Sequence, residues 1–244
     1  GFTEVLLLCY YKSNIFFSRY NNKIIYNLKI KCIKERTPLG TGGALLNAKK
    51  YLKENFLLCN GDTYFDINLN DLCLDYTKLK KIIFVAIKKI KKNNRYAAFD
   101  IKKNQIISLD AKKKTYSLIN SGNYVVSKKI LKYLEKNCSL ENDIFKKLIK
   151  KKQIFLKIYN KPLNAFIDIG IYTDLNRSSK FLKKVIQKRA LFLDRDGVIN
   201  KDTGYVHEKK KFLWRKNIFR FIKKHNDKGY YVFVVSNQSG IGRG

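Results

Sequence analysis

The stretch LFLDRDGVIN, Leu191 to Asn200, decides how the chain divides and what chemistry its last part carries. Ala190, Leu191, Phe192 and Leu193 form a short apolar run without helical spacing, which predicts a buried parallel strand. Asp194 and Asp196 stand just past its end, with Gly197 opening the turn, where open α/β sheets gather their chemistry. Two carboxylates one residue apart repel unless a hard cation such as Mg²⁺ joins them; one is then free to attack phosphorus while the other handles a proton. For these residues alone, a plain acidic turn is the competing reading.

Toward the C-terminus a second strand is predicted at Tyr230 to Val235, reached through a helix in which Ile218, Phe221, Ile222 and His225 share one face. It runs into Ser236, Asn237, Gln238, Ser239 and Gly240, whose hydroxyl, amides and turn N–H groups can surround a phosphate. DRDGVIN at 194–200, GYVH at 204–207 and VVSNQSGIGRG at 234–244 resemble the first two motifs of the haloacid-dehalogenase superfamily. Within it they are most similar to the histidinol-phosphate and heptose-bisphosphate phosphatases. The resemblance implies that Asp194 is the phosphate-accepting nucleophile and Asp196 the general acid/base, both at a Mg²⁺ site, with Ser236 and Asn237 on the phosphate.

Upstream, ERTPLGTGGAL at 35–45 sets Gly40, Thr41, Gly42 and Gly43 before a helix expected to start at Ala44. Such a loop suits a phosphate or a flat base against main chain, although a simple loop and cap would read the same. The apolar strand Asn55 to Cys59 delivers Asp62 past its end, and FIDIG at 166–170 buries Asp168 among apolar neighbours, where a carboxylate needs a cation or hydrogen-bond donors. Asn120, Ser121 and Gly122 are expected to precede a strand and a helix. Ser139 caps a helix over 140–150 with Glu141 in its first turn, where a purely capping role is the alternative.

Together with GFTEVLL at 1–7, NGDTYFDI at 60–67, INSGNYVVS at 119–127 and SLENDIF at 139–145, these segments resemble the sugar-1-phosphate nucleotidyltransferases, nearest the branch that activates heptose 1-phosphate with GTP. The resemblance implies that Gly40 to Gly43 lie against the nucleobase, that Asp62 and Asp168 hold Mg²⁺, and that Gly122 and Glu141 contact the sugar. It implies an α/β fold: a Rossmann-like, GT-A-like nucleotidyltransferase domain over 1–184, followed by the start of a Rossmann-like HAD domain over 189–244. The expected ligands are an NTP such as GTP, a sugar 1-phosphate and a sugar bisphosphate. A non-catalytic nucleotide- or sugar-phosphate-binding role is the alternative.

The chain opens on Gly and has no Met, and it stops just after a phosphate-type loop. The reading therefore expects a segment of a longer protein, short of the transferase family's Gly-rich, Arg-containing pyrophosphate loop at one end and of the phosphatase's later Lys and acidic ligand at the other. Neither half is expected to turn over without those groups. The formal charge of +33 raises nucleic-acid binding, but Lys outnumbers Arg and is spread in short runs along almost every element, as on solvated faces. Five cysteines without paired spacing predict reduced thiols in a cytoplasmic protein. No apolar run is long enough to span a membrane, and homo-oligomerisation stays open.

Overall fold

The computed structural model describes residues 2–79, 81–91, 98–102, 105–108, 116–160, 164–204 and 206–237. The chain packs as two compact units, Gly1–Asn160 and Lys161–Gly244. The boundary expected at 184–189 falls inside the second. Tyr205 and residues 238–244 of the predicted motifs, and part of a hairpin expected over 96–109, lie outside the described residues.

The first unit comprises β1 (Glu4–Cys9), α1 (Ser13–Tyr20), β2 (Ile24–Ile25), β3 (Leu28–Lys34), α2 (Gly40–Asn47), β4 (Asn55–Cys59), β5 (Thr63–Phe65), α3 (Leu69–Thr77), β6 (Ile83–Lys91), β7 (Asp100–Lys102), β8 (Gln105–Ser108), β9 (Tyr116–Ser127), α4 (Phe145–Lys150) and β10 (Ile154–Tyr159). β1 and β3 run parallel, with β2 antiparallel on the far edge of β3. The larger sheet has the order β10-β6-β9-β4, in which β10 and β6 are parallel while β9 runs antiparallel to both its neighbours. β10 was not anticipated: Lys157 interrupts its apolar run, and its length is too short for periodicity to decide.

One core explains why these strands assemble. Ile83, Val85 and Ile87 of β6, Tyr124 and Val126 of β9 and Ile154 of β10 are buried together with Leu45 of α2 and Phe145 and Leu148 of α4. Fully burying such a side chain stabilises the fold by roughly 1.5–3 kcal/mol. β9 is one twelve-residue strand through Asn120–Gly122; it starts earlier than the strand expected after these residues, and the expected helix follows as a 3₁₀ helix, Lys128–Tyr133. Its partners on β6 pass from Asn120↔Ile87 to Tyr124↔Val85, so Ser121, Gly122 and Asn123 face Ala86 alone. Gly122 absorbs this bulge with φ 72°, a conformation that costs a residue with a Cβ. The Ser121 hydroxyl donates to the Ala86 carbonyl at 2.8 Å across it.

The second unit holds β11 (Phe166–Asp168), α5 (Tyr172–Ile186), β12 (Ala190–Asp194), α6 (Ile218–Asp227) and β13 (Tyr231–Val235). β12 and β13 are parallel, with Asp194 opposite Val235. Leu193, Ile199 and Ile218 form a small core, joined by Ile222 and Val232. The burial predicted for the strand at 190–193 is met at Leu193 and not at Phe192, which is exposed, as are Phe233 and Val235 of β13. In α5 the spacing of Leu175, Ser179, Leu182 and Ile186 predicts a packing face, yet Leu175, Ser179 and Ile186 are exposed and Leu182 is half-buried. Asp174 and Ser178 are the buried positions; Asp174 brings its own cation, Arg177, at 2.7 Å, and Ser178 donates to the Leu175 carbonyl at 2.6 Å.

Candidate functional site

In the first unit the glycine stretch is the start of α2 itself, four residues earlier than Ala44. Gly40 has φ 71°. The N–H groups of Gly42 and Gly43 donate to the Cys138 carbonyl at 2.9 and 3.3 Å. A Cβ on Gly40 would lie 2.6 Å from that carbonyl oxygen, and one on Gly42 2.6 Å from Cys138 Sγ. These glycines therefore let the helix start dock on the chain at 136–139, and the two amides that a phosphate would need are already engaged. Thr41 remains for outward chemistry. Its hydroxyl donates to Glu141 Oε2 at 2.9 Å and accepts from the Leu140 N–H at 2.7 Å.

Glu141 sits in the wide first turn, Leu140–Ile144, that precedes α4, where Ser139 caps by accepting from the Asn142 N–H. Its Oε1 accepts from the Tyr124 phenol at 2.9 Å, and its Oε2 also accepts from Ser139 Oγ at 3.3 Å. The Asn120 amide donates to the same phenol oxygen from across the Gly122 bulge. Tyr124 is fully buried; burial, and then the Glu141 charge, push its phenol well above its ordinary pKa, so it acts as a fixed donor. Thus Glu141 and Thr41, about a hundred residues apart in sequence, are joined, through Tyr124, to the strand that carries Gly122. Ser139 is the cap the sequence predicts, whereas Tyr124 had escaped the sequence reading, since a buried Tyr in an apolar strand looks like packing.

Gly122 also receives the end of β4. Its carbonyl accepts from the Asn60 N–H at 2.8 Å, and a Cβ there would lie 2.8 Å from Asn60 and from Thr63 Oγ1. Among the described residues Thr63 Oγ1 is a buried oxygen with no partner, beside the loop that carries the exposed Asp62. In the second unit, Asp168 is half-buried and accepts from the Gly170 N–H at 2.9 Å. That N–H is a donor of the kind the sequence reading required for this carboxylate, and β11 ends at Asp168 itself.

Asp194 ends β12 exposed, accepting from the Arg195 N–H at 2.7 Å; Ser236 follows β13, the strand in register beside it. Asp196 is differently placed. Arg195 donates from Nε to Oδ1 at 3.0 Å and from Nη2 to Oδ2 at 2.8 Å, and Asn200 Nδ2 adds a bond to Oδ1 at 3.0 Å. A carboxylate so gripped is held as the anion, and it can take or give a proton only with this fork opened. Arg195 also reaches the Val206 carbonyl at 3.1 Å, drawing the 206–209 segment onto the acidic turn.

No three His, Cys, Asp or Glu side chains are gathered for a metal among the described residues. Mg²⁺ is commonly held by one or two carboxylates with substrate phosphates and water filling the rest. Asp62 and Asp194 offer exposed carboxylate oxygens of that kind; the Asp196 carboxylate, filled by Arg195 and Asn200, does not in this arrangement. No helix among the described residues is long and apolar enough to cross a membrane.

Residues 1–185 match the family model described as nucleotidyl transferase. The chain is 33% identical over 181 residues to a D-glycero-alpha-D-manno-heptose 1-phosphate guanylyltransferase of Campylobacter jejuni, covering 71% of this chain and 76% of that one. The crystal structure of HddC from Yersinia pseudotuberculosis superposes with a TM-score of 0.62 at 28% identity, over 75% of this chain and 80% of the other. A 56-residue stretch is 52% identical to a D-glycero-beta-D-manno-heptose-1,7-bisphosphate 7-phosphatase of Helicobacter pylori. That stretch spans 23% of this chain and 32% of the phosphatase.

Proposed function

The chain belongs to the nucleotidyl transferase family, and on that premise we propose that it activates a sugar 1-phosphate with a nucleoside triphosphate, as guanylyl transfer to a heptose 1-phosphate, and that its C-terminal segment is a sugar-bisphosphate phosphatase. It has the α/β Rossmann-like nucleotidyltransferase fold, joined to a short phosphatase-like segment. In the transfer, a phosphate oxygen of the sugar 1-phosphate attacks the α-phosphorus of GTP and pyrophosphate leaves, so no protein nucleophile is required. Gly40 to Gly43 lie along the nucleobase, Gly122 and Glu141 hold the sugar, and Asp62 and Asp168 take the metal roles that the family resemblance implies. When bound, Mg²⁺ neutralises charge on the reacting phosphates.

The observation that carries this reading is the bonding of Glu141 to Thr41 of the glycine helix and to Tyr124 of β9, which couples a sugar-binding carboxylate to the nucleotide-binding stretch. Calorimetric titration of the chain with GDP-mannose and with GMP, each with Mg²⁺, tests it. Saturable binding of both is expected, and Glu141→Gln weakens GDP-mannose about tenfold while leaving GMP unchanged. Equal loss for both ligands, or no binding at millimolar ligand, ends the assignment.

In the phosphatase step, Asp196, released by Arg195 and protonated from solvent, gives that proton to the leaving sugar oxygen as an Asp194 oxygen attacks the phosphorus; the Asp196 carboxylate then takes a proton from the water that cleaves the acyl-phosphate, freeing phosphate and Asp194. Ser236 and Asn237 hold phosphoryl oxygens. The exposed Asp194 at the end of a parallel strand supports this role. Fluorine NMR of the chain with Mg²⁺ and beryllofluoride is expected to show one bound species that Asp194→Asn abolishes; a species that survives the substitution assigns the nucleophile elsewhere. The five unpaired cysteines support a cytoplasmic setting for both reactions.

A further inference from the structure

Beside the acidic turn of the second unit lies an open hollow of about 480 Å³, within the size range of small-ligand sites. One wall is aromatic. Phe212 and Trp214 meet edge to face at 4.7 Å, and Trp214 is 52% exposed, unusual for so large an apolar surface in a recess. The other wall is polar: Arg195, His207, Glu208 and Lys209 line it. Arg195 ties this wall to the reacting carboxylates, since the same guanidinium holds Asp196 and the Val206 carbonyl.

An aromatic face opposite a carboxylate and cations selects a ligand that is apolar on one side, rich in hydroxyls at its edge, and anionic at an end. A phosphorylated monosaccharide has that distribution: axial C–H groups pack on an indole, hydroxyls donate to a carboxylate, and phosphate meets ammonium. We propose that this hollow is a sugar-phosphate subsite, with the sugar ring on Trp214, its hydroxyls on Glu208 and its remote phosphate toward Lys209. The subsite deepens the phosphatase reading and rests on it: a ligand seated there borders Arg195, the residue that holds Asp196.

Trp214 is the single tryptophan of the chain, so its emission reports on this hollow alone. Titration of the intact chain with glucose 1,6-bisphosphate is expected to change that emission saturably, with glucose much weaker and inorganic phosphate silent. Glu208→Gln, at an exposed side chain, is expected to weaken binding about tenfold with unchanged circular dichroism. By equilibrium dialysis, Trp214→Phe retains binding and Trp214→Ala loses it. A titration that inorganic phosphate reproduces, an unaltered affinity in Glu208→Gln, or no saturable change overturns the subsite. The beryllofluoride experiment is read in parallel: a positive titration without an Asp194 adduct keeps the subsite and removes the nucleophile, and an adduct without a titration does the reverse.

Discussion

Tyr124 concentrates the physics of the first unit in one hydroxyl, which donates to Glu141 and accepts from Asn120 inside the core. Tyr124→Phe leaves both partners short of a bond and is expected to cost about 1–3 kcal/mol in urea unfolding. A pH dependence follows from the raised phenol. The unfolded chain releases this proton near the ordinary value of 10.0 while the folded chain keeps it. Its stabilisation is therefore complete below pH 10 and declines as pH rises above it. Unfolding curves between pH 8 and 11 check this, and Tyr124→Phe should lose that part of the decline. Gly40→Ala combines a left-handed φ with a Cβ 2.6 Å from the Cys138 carbonyl oxygen. A loss of roughly 2 kcal/mol or more is expected, larger than for an ordinary surface Gly→Ala change.

At the scale of elements, the turn before α4 sets where Glu141 points, and Ser139 is its cap. Ser139→Ala is expected to cost about 1 kcal/mol by thermal or urea unfolding, and to loosen Glu141 as well. Much of this layer was legible. β4 and β12 end at Cys59 and Asp194, where the apolar runs at 55–59 and 190–193 give out. What failed did so for identifiable reasons. α2 was expected to start only at Ala44 because glycines read as loop; here Gly40, with its left-handed φ and its close approach to Cys138, begins the helix itself. β9 read as starting only after Gly122 because a bulge places Asn, Ser and Gly in mid-strand. α5 misled because a buried Asp with a neighbouring Arg is invisible to an apolar count. Arg195 went unremarked between its two aspartates, although it holds both carboxylate oxygens of Asp196.

For the whole molecule, charge and chain division dominate. With a formal charge of +33, self-repulsion weakens the compact state and added salt relieves it; the melting temperature is expected to rise between about 0.05 and 0.5 M NaCl by scanning fluorimetry. The two units, divided at Asn160 and Lys161, bear on the boundary proposed at 184–189. Arg189 is tied to Tyr230 by its guanidinium and to the Tyr231 N–H by its carbonyl, so trypsin is expected to cut first at Lys183, Lys184 or Lys188 and spare Arg189. The long strand β9 has a last consequence. Flanked on both edges and fully buried at Tyr124 and Val126, its amides can meet deuterium only when most of the first unit opens. Isotope uptake should therefore be slowest at 124–126 and fast along α1 and the exposed β13. The peptide bonds that hold Gly122 and aim Tyr124 would then be among the last to trade hydrogen with water, and the ligand-facing geometry would persist through the small openings that reach the rest of the chain.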